Sequence, residues 1–340
     1  MQTAPVKDAA SADVVPDPIL QIASGFMAAK MLFVATEVGV FEGLTGGPAT
    51  EKELANRLAL PPSTLRILCD AMAALGILTQ TGGRYANTPA AAKYLSGVDP
   101  ATDLRPFMRM RNRFSYPRWQ TLEDAVRSGH GVLGSRVFAD SAEQRLHAEG
   151  VEGFTKQAAR ALTTSYDFSI HKRAIDLGGG IGIFLTSIAD KYADIDLALF
   201  ELPAVSALAR SRFADGPYEP RIRVIDGDFL HDPIPDGYDV VILANVLHVL
   251  PEQANRQLMR RIREGAEVGA RLLLVDFFLN EDRTHPLFAA LMSGEFLIFD
   301  GDGRSYSEAE CRTWLSDTGW KPLEHRPLGG PSSLLVAEAV

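Results

Sequence analysis

The stretch Ala174-Ile175-Asp176-Leu177-Gly178-Gly179-Gly180-Ile181-Gly182 decides the fold of this chain. An apolar, strand-like run ends in an acidic residue and a glycine turn, and a helical pattern follows. Glycine lets backbone pass close against a ligand, because a Cβ atom would collide with it. The helix N-terminus that follows supplies unpaired N–H groups, which suit a carboxylate or a phosphate. Asp176 is unsuited to a pyrophosphate but suits a cationic or hydroxyl-bearing ligand.

Strands and helices alternate from Arg173 onward, at the spacing of right-handed βαβ units with a parallel sheet. The predicted strands are 173–177, 195–200, 221–226, 239–244 and 270–277, and the predicted helices are 183–192, 203–213, 252–267 and 307–318. Two strand-like runs, 320–327 and 332–339, close the chain around Gly329-Gly330-Pro331 and predict an antiparallel hairpin. A doubly wound sheet binds its ligand at the carboxyl ends of its strands.

Acidic residues stand at three successive strand ends of this predicted sheet. Asp176 ends the first strand, and Glu201, in Phe-Glu-Leu-Pro, ends the second, where a carboxylate can accept hydrogen bonds from both ribose hydroxyls. Asp228, after the third strand, can accept from an exocyclic amine, and Phe229 can stack on a base. A dinucleotide fingerprint is excluded, because no glycine follows at the required spacing, and no Gly-Lys-Ser/Thr phosphate loop is present. The pattern indicates a different nucleoside-containing ligand.

Residues 16–98 are predicted to form a second, winged-helix-like domain. Their first helical pattern, 18–44, is apolar on most faces, which favours packing against a second subunit; an ordinary core helix is the alternative. The further elements are a helix opened by a capping box at 50–53, a helix capped by Ser63 and ending at Gly76, and a hairpin at 77–85. A DNA-reading helix would carry basic residues, but here Arg66 is the only one and Asp70 lies beside it. DNA binding is therefore the less favoured interpretation.

Composition restricts the function classes further. The 340 residues are enough for two domains, and 46% hydrophobic with 23% charged residues is ordinary for a soluble enzyme. A net charge of −9 argues against non-specific binding to nucleic acid or to an anionic membrane. Cys69 and Cys311 give no disulfide framework, which indicates a reducing compartment. We find no apolar run of membrane-spanning length and no secretory signal, and we interpret 1–15 as a disordered leader. We therefore predict a cytoplasmic protein.

Four motifs together resemble the plant-type family of S-adenosylmethionine-dependent small-molecule O-methyltransferases, in its bacterial natural-product branch. They are Asp176 to Gly182 (DLGGGIG), Phe200 to Pro203 (FELP), Gly227 to Phe229 (GDF) and Val246 to His248 (VLH). The resemblance extends from about residue 18 to the end. It implies an α/β fold: a class I methyltransferase, Rossmann-like sheet, mostly parallel with a C-terminal antiparallel hairpin, preceded by an all-α, winged-helix-like dimerisation domain. The corresponding regions are 16–98 for dimerisation, 99–170 for a helical linker and acceptor pocket, and 171–340 for the catalytic domain.

The resemblance also implies partners and a cofactor site. The family forms homodimers in which N-terminal helices intertwine and help to close the partner's pocket. Gly178 and Gly180 would approach the methionine part of S-adenosylmethionine, Glu201 would hold the ribose, and Asp228 with Phe229 would hold the adenine. The full predicted cofactor set is Asp176, Gly178, Gly180, Glu201, Leu202, Asp228, Phe229 and Asn245.

Methyl transfer from a sulfonium needs a positioned, deprotonated nucleophile, and proximity supplies much of the barrier reduction. A hydroxyl gains from a neighbouring general base, and histidine is suited to this near neutral pH. His248 stands at the end of the fourth strand, a position that none of the other six histidines shares. In the family the matching histidine is the base and an acid after the fifth strand orients it, which places Asp276 in that role.

The chain departs from the family pattern at three places. Val249 and Leu250 stand where Asp and Trp commonly follow the histidine, and Asn245 stands where some members carry a lysine. The region of a second catalytic glutamate in plant members, 303–306, contains no acid. Glu295, in the segment expected to line the acceptor pocket, could substitute, so the acceptor could differ from a plain phenol.

The acceptor is predicted to be apolar, aromatic or polyketide-like. The residues that suggest it are Trp119, Phe154, Met292, Glu295 and Phe296, although the apolar ones could equally belong to the core. Five arginines interleave with aromatic residues in the linker: Arg105, Arg109, Arg111, Arg113 and Arg118. A carboxylate-bearing substrate would suit this cluster, and a solvated basic face with a buried apolar side explains it as well.

Three other functions compete with O-methylation. The runner-up is a C-methyltransferase acting on an enolisable 2-oxo acid, in which His248, Asp276 and Glu295 could surround a metal; the spacing itself demonstrates no metal site. A cofactor-dependent hydroxylation or decarboxylation is a third hypothesis. A ligand-sensing transcription factor built on the winged helix is a fourth, and the acidic charge disfavours it.

Overall fold

A computed structural model describes residues 17–131, 140–300 and 303–340 of the chain. The leader predicted over 1–15 lies outside these residues. The chain divides into two compact units, Met1–Ser96 and Gly97–Val340. Cys69 and Cys311 are both buried and unpaired as thiols.

Over its described residues, 17–96, the first unit contains five helices and a small antiparallel sheet of order β1-β3-β2. Its elements are α1 (Asp17–Glu37), α2 (Val40–Gly43), β1 (Ala49–Thr50), α3 (Glu51–Leu58), α4 (Pro62–Ala74), β2 (Leu78–Thr81), β3 (Arg84–Asn87) and α5 (Pro89–Tyr94). The capping box is formed, since Thr50 and Glu53 each accept a hydrogen bond from the other's backbone N–H.

Two local predictions for this unit are wrong. The helix expected over 18–44 is divided, because Gly39 adopts a left-handed conformation, with φ of 82°, between α1 and α2. Ser63 does not cap α4: the helix begins at Pro62, two residues earlier than a Ser63 cap implies, with Pro61 as N-cap and no side-chain cap. Proline is favoured at the first helical position because the N–H that it lacks would have no partner there.

Helix α1 corrects the expectation that no run reaches membrane-spanning length. By length and composition it could cross a membrane, with a mean hydropathy of 1.6, and only 11% of that stretch is buried. Its exposed side chains include Ile19, Ile22 and Phe26. A solvent-exposed apolar helix of this kind requires a covering surface.

The second unit is built on a seven-stranded sheet of order β6-β5-β4-β7-β8-β10-β9. Its strands are β4 (Arg173–Leu177), β5 (Asp196–Glu201), β6 (Ile222–Asp226), β7 (Val240–Ala244), β8 (Arg271–Asp276), β9 (Trp320–Pro327) and β10 (Ser333–Ala339). Strands β4 to β8 are parallel, whereas β10 runs antiparallel to both β8 and β9. The predicted parallel sheet with a C-terminal antiparallel hairpin is confirmed.

Helices cover both faces of this sheet. The α-helices of this unit are α6 (Arg105–Met110), α7 (Tyr116–Arg118), α8 (Leu122–Ser128), α9 (Ser141–Ser165), α10 (Ile183–Lys191), α11 (Pro203–Phe213), α12 (Glu252–Glu264), α13 (Leu287–Asp300) and α14 (Glu308–Asp317). A π-helical turn, Arg111–Ser115, joins α6 to α7. Alternate strand residues fill two cores: Ile175 and Leu274 belong to one, and Ala174 and Leu273 to the other.

The order of the strands determines where a ligand can bind. Chain order reverses between β4 and β7, which are neighbours in the sheet. A crevice opens at such a switch point, outside the carboxyl ends of the strands. Predicted site residues that end or directly follow strands at that edge include Glu201, Asn245 and Asp276.

Candidate functional site

Two adjoining cavities lie at the carboxyl edge of the large sheet. The glycine cavity, of about 300 Å³, includes Gly178, Gly179, Gly180, Ile181, Glu201, Leu202, Val205 and Ala244 in its lining. The aromatic cavity, of about 110 Å³, includes Phe107, Arg111, Phe114, Ser115, Phe154, His248, Phe277, Met292, Glu295, Phe296 and Phe299. Four residues line both cavities: His147, Val151, Thr155 and Asn245.

The glycine turn forms one wall of the glycine cavity with its backbone. Gly178 and Gly180 have φ of 72° and 61°, a region that side chains rarely adopt. A Cβ atom on Gly178 would lie 2.8 Å from the ring of Phe229. At Gly180 a Cβ atom would meet nothing within 4 Å, so the space beside this residue is open to a ligand.

Glu201 is fixed in this cavity by two backbone donors. Its Oε2 accepts from the N–H of Gly180 and its Oε1 from the N–H of Leu202, both at 2.8 Å. The side chain is buried. Each carboxylate oxygen can accept a further hydrogen bond, so Glu201 can receive two ligand hydroxyls without losing its own support.

Asp176 lies beneath the turn and is not part of the cavity lining. It is fully buried, and among the described residues neither of its oxygens has a hydrogen-bond partner. Burial, and to a lesser extent the charge of Glu201, raises the pKa of Asp176 to about 8. A Cβ atom on Gly179 would lie 2.3 Å from Asp176 Oδ2, so glycine is needed for the turn to cover this carboxyl.

Asp228 and Phe229 lie outside the cavity lining. Asp228 Oδ2 is 2.7 Å from His231 Nδ1, and its Oδ1 accepts from the N–H of Leu230 at 2.8 Å. Partial burial raises the pKa of Asp228, but these hydrogen bonds outweigh it and hold the pKa below its usual value. The structure thus brings five of the eight predicted cofactor residues onto one cavity surface: Gly178, Gly180, Glu201, Leu202 and Asn245.

His248 and Asp276 form a buried pair at the aromatic cavity. His248 lies in a 3₁₀ turn after β7, and its Nδ1 is 2.7 Å from Oδ1 of Asp276, the last residue of β8. The same Oδ1 accepts from the N–H of Phe277 at 2.8 Å. Because a carboxylate on Nδ1 favours the tautomer with its proton there, Nε2 is the nitrogen that can accept a proton.

Aromatic rings hold the His248 imidazole in place. The Phe296 ring is stacked on it with centroids 3.9 Å apart and planes 12° apart, and Phe277 is nearly parallel at 5.0 Å. Phe154 packs against Phe107 at 4.9 Å and forms another part of the wall. A flat apolar ligand would match these surfaces.

Glu295 is held in the aromatic cavity by three donors. Ser115 Oγ donates to Oε1 at 2.5 Å, Trp119 Nε1 donates to Oε2 at 2.5 Å, and Arg111 Nη1 lies 2.8 Å from Oε1. Of the five predicted acceptor residues, Phe154, Met292, Glu295 and Phe296 line the cavity. Trp119 does not line it and contacts Glu295 instead.

The sequence analysis placed the acceptor pocket within 99–170 and named Phe154 of α9, but it did not name the α9 residues that line both cavities. His147, Val151 and Thr155 are spaced four residues apart, so they lie on one helical face. His147 was set aside because it does not follow a strand. Helical periodicity within 141–165 was the signal that could have identified this face.

The arginines of the linker are engaged within the chain. Arg105 pairs with Asp103, Arg113 with Glu143, and Arg118 lies over the ring of Phe299 at 4.4 Å. Arg111, paired with Glu295, is the only lysine or arginine among the described residues that line the aromatic cavity. Within 17–131, 140–300 and 303–340, no three His, Cys, Asp or Glu side chains are grouped to hold a metal ion.

Comparison with known proteins places this geometry in context. An O-methyltransferase domain matches residues 119–321, and an O-methyltransferase dimerisation domain matches residues 20–97. Over 330 residues the chain is 33% identical to a 3-hydroxy-5-methyl-1-naphthoate 3-O-methyltransferase of Streptomyces sahachiroi, a match that covers 96% of this chain and 95% of the relative.

Two further proteins match over nearly their whole length. A tetracenomycin polyketide synthesis 8-O-methyl transferase of Streptomyces glaucescens is 27% identical over 327 residues, covering 94% of this chain and 96% of the relative. The structure of human N-acetylserotonin methyltransferase in complex with S-adenosylmethionine superposes with a TM-score of 0.87 at 27% identity, covering 97% of this chain and 99% of the other.

Proposed function

We propose that this chain, which belongs to the S-adenosylmethionine-dependent O-methyltransferase family, methylates a hydroxyl of a small aromatic or polyketide-like metabolite with His248 as general base. Family membership, the methyltransferase activity and the cofactor predicted from the motifs are confirmed. The aromatic acceptor and the base are the proposal. The observation that carries them is the His248–Asp276 pair, which faces an aromatic cavity joined to the glycine cavity at Asn245.

The glycine cavity fits S-adenosylmethionine, because it contains a carboxylate that can accept hydrogen bonds and open space beside Gly180. Glu201 would accept from the ribose hydroxyls, and Gly178 and Gly180 would let the methionine part approach the backbone. Asp176 lies under the turn with both oxygens lacking a partner among the described residues, and the ammonium of a bound ligand would favour its charged form. When bound, the cofactor supplies an electrophilic methyl group on a sulfonium.

The remaining cofactor residues have more local roles in this proposal. Leu202 and Asn245 complete the cavity wall. Asp228 and Phe229 are proposed to contact the adenine, with Asp228 accepting a further hydrogen bond from the exocyclic amine beside its contact with His231.

The reaction needs little beyond position and one proton acceptor. The acceptor hydroxyl would lie in the aromatic cavity, within hydrogen-bond reach of His248 Nε2. Nε2 would take the hydroxyl proton as the acceptor oxygen attacks, and bound S-adenosylmethionine would supply the methyl group. Asp276, held by the N–H of Phe277, then stabilises the imidazolium.

No observation favours the C-methyltransferase alternative. A metal-assisted form would need Glu295 beside His248 and Asp276, yet the Glu295 carboxylate is occupied by Arg111, Ser115 and Trp119. Carboxylate recognition by the arginine cluster would need guanidinium groups that instead face Asp103, Glu143 and Glu295.

The dimerisation domain supports a homodimer that acts on a small molecule. We propose that α1 provides the dimer contact, because its exposed apolar side chains require cover. A subunit interface, rather than a bilayer, would then cover it. We further propose that the protein acts in the cytoplasm and binds no nucleic acid, in keeping with its net charge of −9.

The base is tested with His248→Gln and Asp276→Asn. Against a panel of hydroxynaphthalenes, we expect kcat for His248→Gln to fall by about 10² to 10³, the typical contribution of a general base, and a smaller loss for Asp276→Asn. The dissociation constant of S-adenosylhomocysteine, measured by calorimetry, is expected to stay within about twofold of wild type. His130→Gln, an exposed histidine outside both cavities, is the control. Full turnover by His248→Gln would show that the histidine is not the base.

A further inference from the structure

We propose that Glu295 neutralises Arg111, so that the aromatic cavity selects an uncharged aromatic acceptor over one that carries a carboxylate. The inference rests on the proposed function and specifies the acceptor class of the same site. It opposes the expectation, raised by the arginine cluster, of a carboxylate-bearing substrate.

The Arg111 guanidinium is already engaged by groups of the cavity wall. Nη1 lies 2.8 Å from Glu295 Oε1 and donates to Ser115 Oγ at 3.2 Å, while Nη2 lies 3.1 Å from Met292 Sδ. The guanidinium also lies over the Phe107 ring at 5.0 Å. These contacts bind the cation on several sides.

The ion pair between Arg111 and Glu295 is buried. The exposed fraction of the Arg111 side chain is 16% and that of Glu295 is 7%, so the pair is largely removed from water. A carboxylate that entered this cavity would meet one guanidinium and one carboxylate, whose charges cancel. The incoming negative charge would lose its hydration without gaining a counter-ion, which is costly in a low-dielectric site.

Glu295 is positioned to neutralise Arg111 and not for proton transfer. Ser115 and Trp119 each donate to it at 2.5 Å, from the π-helical turn and the 3₁₀ turn that follow α6 and α7. Its carboxylate therefore points at donors of the protein. The glutamate is a specificity residue in this proposal, and its effect is exerted through the charge of Arg111.

The test compares 3-hydroxy-1-naphthoate with its methyl ester, which differ chiefly in charge. Binding is measured by ligand fluorescence with saturating S-adenosylhomocysteine, so no turnover is required. Wild type is expected to bind the ester about tenfold more tightly than the acid. In Glu295→Gln, which keeps the shape of the side chain, the acid is expected to gain about tenfold relative to the ester, because Arg111 loses its counter-ion.

Two control variants test whether the change in acid-to-ester ratio depends on the Arg111–Glu295 pair itself. Glu143→Gln removes a carboxylate from the Arg113 ion pair outside the cavity and should leave the acid-to-ester ratio unchanged. The double variant Arg111→Met/Glu295→Gln should lose the gain for the acid. Thermal unfolding and S-adenosylhomocysteine binding verify that each variant is folded.

Three results would overturn the proposal: an unchanged acid-to-ester ratio in folded Glu295→Gln, a gain that persists in the double variant, or no binding of either probe. Failure of the proposed function appears differently, as absent methyl transfer to hydroxynaphthalenes by the wild type. The binding ratios are measured independently of that activity.

Discussion

The two cavities are built in different ways, although they share four residues. The glycine cavity is formed largely by backbone: a glycine turn after β4, and the N–H groups of Gly180 and Leu202 that fix Glu201. The aromatic cavity is formed by side chains from the region around α6, from α9, from α13 and from the ends of β7 and β8. Its contact between Ser115 and Glu295 joins residues 180 positions apart.

Because of this difference, the two cavities should differ in how readily they tolerate amino-acid substitutions. Backbone geometry limits what can change in the glycine cavity, because a single Cβ atom at Gly178 or Gly179 meets a neighbour. Side chains in the aromatic cavity can change without moving the sheet that carries the turn. One fold can therefore keep its cofactor while its acceptor changes, and each prediction below challenges this division.

Among the changes that challenge this division, the largest expected effect is a loss of cofactor binding in Gly178→Ala. The new Cβ atom would lie 2.8 Å from the Phe229 ring and 3.3 Å from Val246, at a φ of 72° that alanine adopts with strain. We expect calorimetry to show about 100-fold weaker binding of S-adenosylhomocysteine. Gly76→Ala is matched in φ, also 72°, but meets nothing within 4 Å and should bind as wild type does. Equal losses in both variants would show that backbone strain, and not the cavity, is responsible.

Phe296→Leu, in the aromatic cavity, is expected to have a smaller effect, and to lower kcat rather than the affinity for the cofactor. Its ring is stacked on His248 at 3.9 Å, so its loss frees the imidazole to reorient. We expect kcat with a hydroxynaphthalene to fall about tenfold, since misplaced catalytic groups lose rate steeply. Binding of S-adenosylhomocysteine should stay within about twofold.

The control for Phe296→Leu is Phe168→Leu. This ring is fully buried, packs near His171 and lines neither cavity. It should lower the stability and leave kcat unchanged. A large loss of cofactor affinity in Phe296→Leu would contradict the independence of the two cavities.

The same difference explains what sequence alone could reach. The glycine turn, Glu201 and His248 follow from strand ends, because parallel strands bring their carboxyl ends to one edge. The role of Asp276 beside His248 was predicted from the family resemblance. No comparable rule predicts the Arg111–Glu295 pair, because its formation depends on how α13 packs beside the π-helical turn. Sequence could show that arginines were numerous in the linker, but not which one was already neutralised. Helix α1 shows the same limit: its apolar pattern was visible, while its break at Gly39 was not.

The smallest expected effect concerns Asp176, the one carboxyl under the glycine turn without a partner among the described residues. Burial raises its pKa to about 8, well above the value near 3.9 of an unfolded chain, so the folded state binds its proton more tightly. The stability that this proton contributes is complete below about pH 4 and is lost as pH rises towards 8. Asp176→Asn removes this dependence, so its Tm relative to wild type should rise by a few degrees between pH 5 and pH 8 in calorimetric scans.

The control is Asp226→Asn, which removes an exposed carboxylate at the end of β6 and should show a constant difference from wild type over that range. A constant difference in Asp176→Asn would mean that the carboxyl is ionised under the turn, and the backbone wall of the glycine cavity would then contain a fixed negative charge.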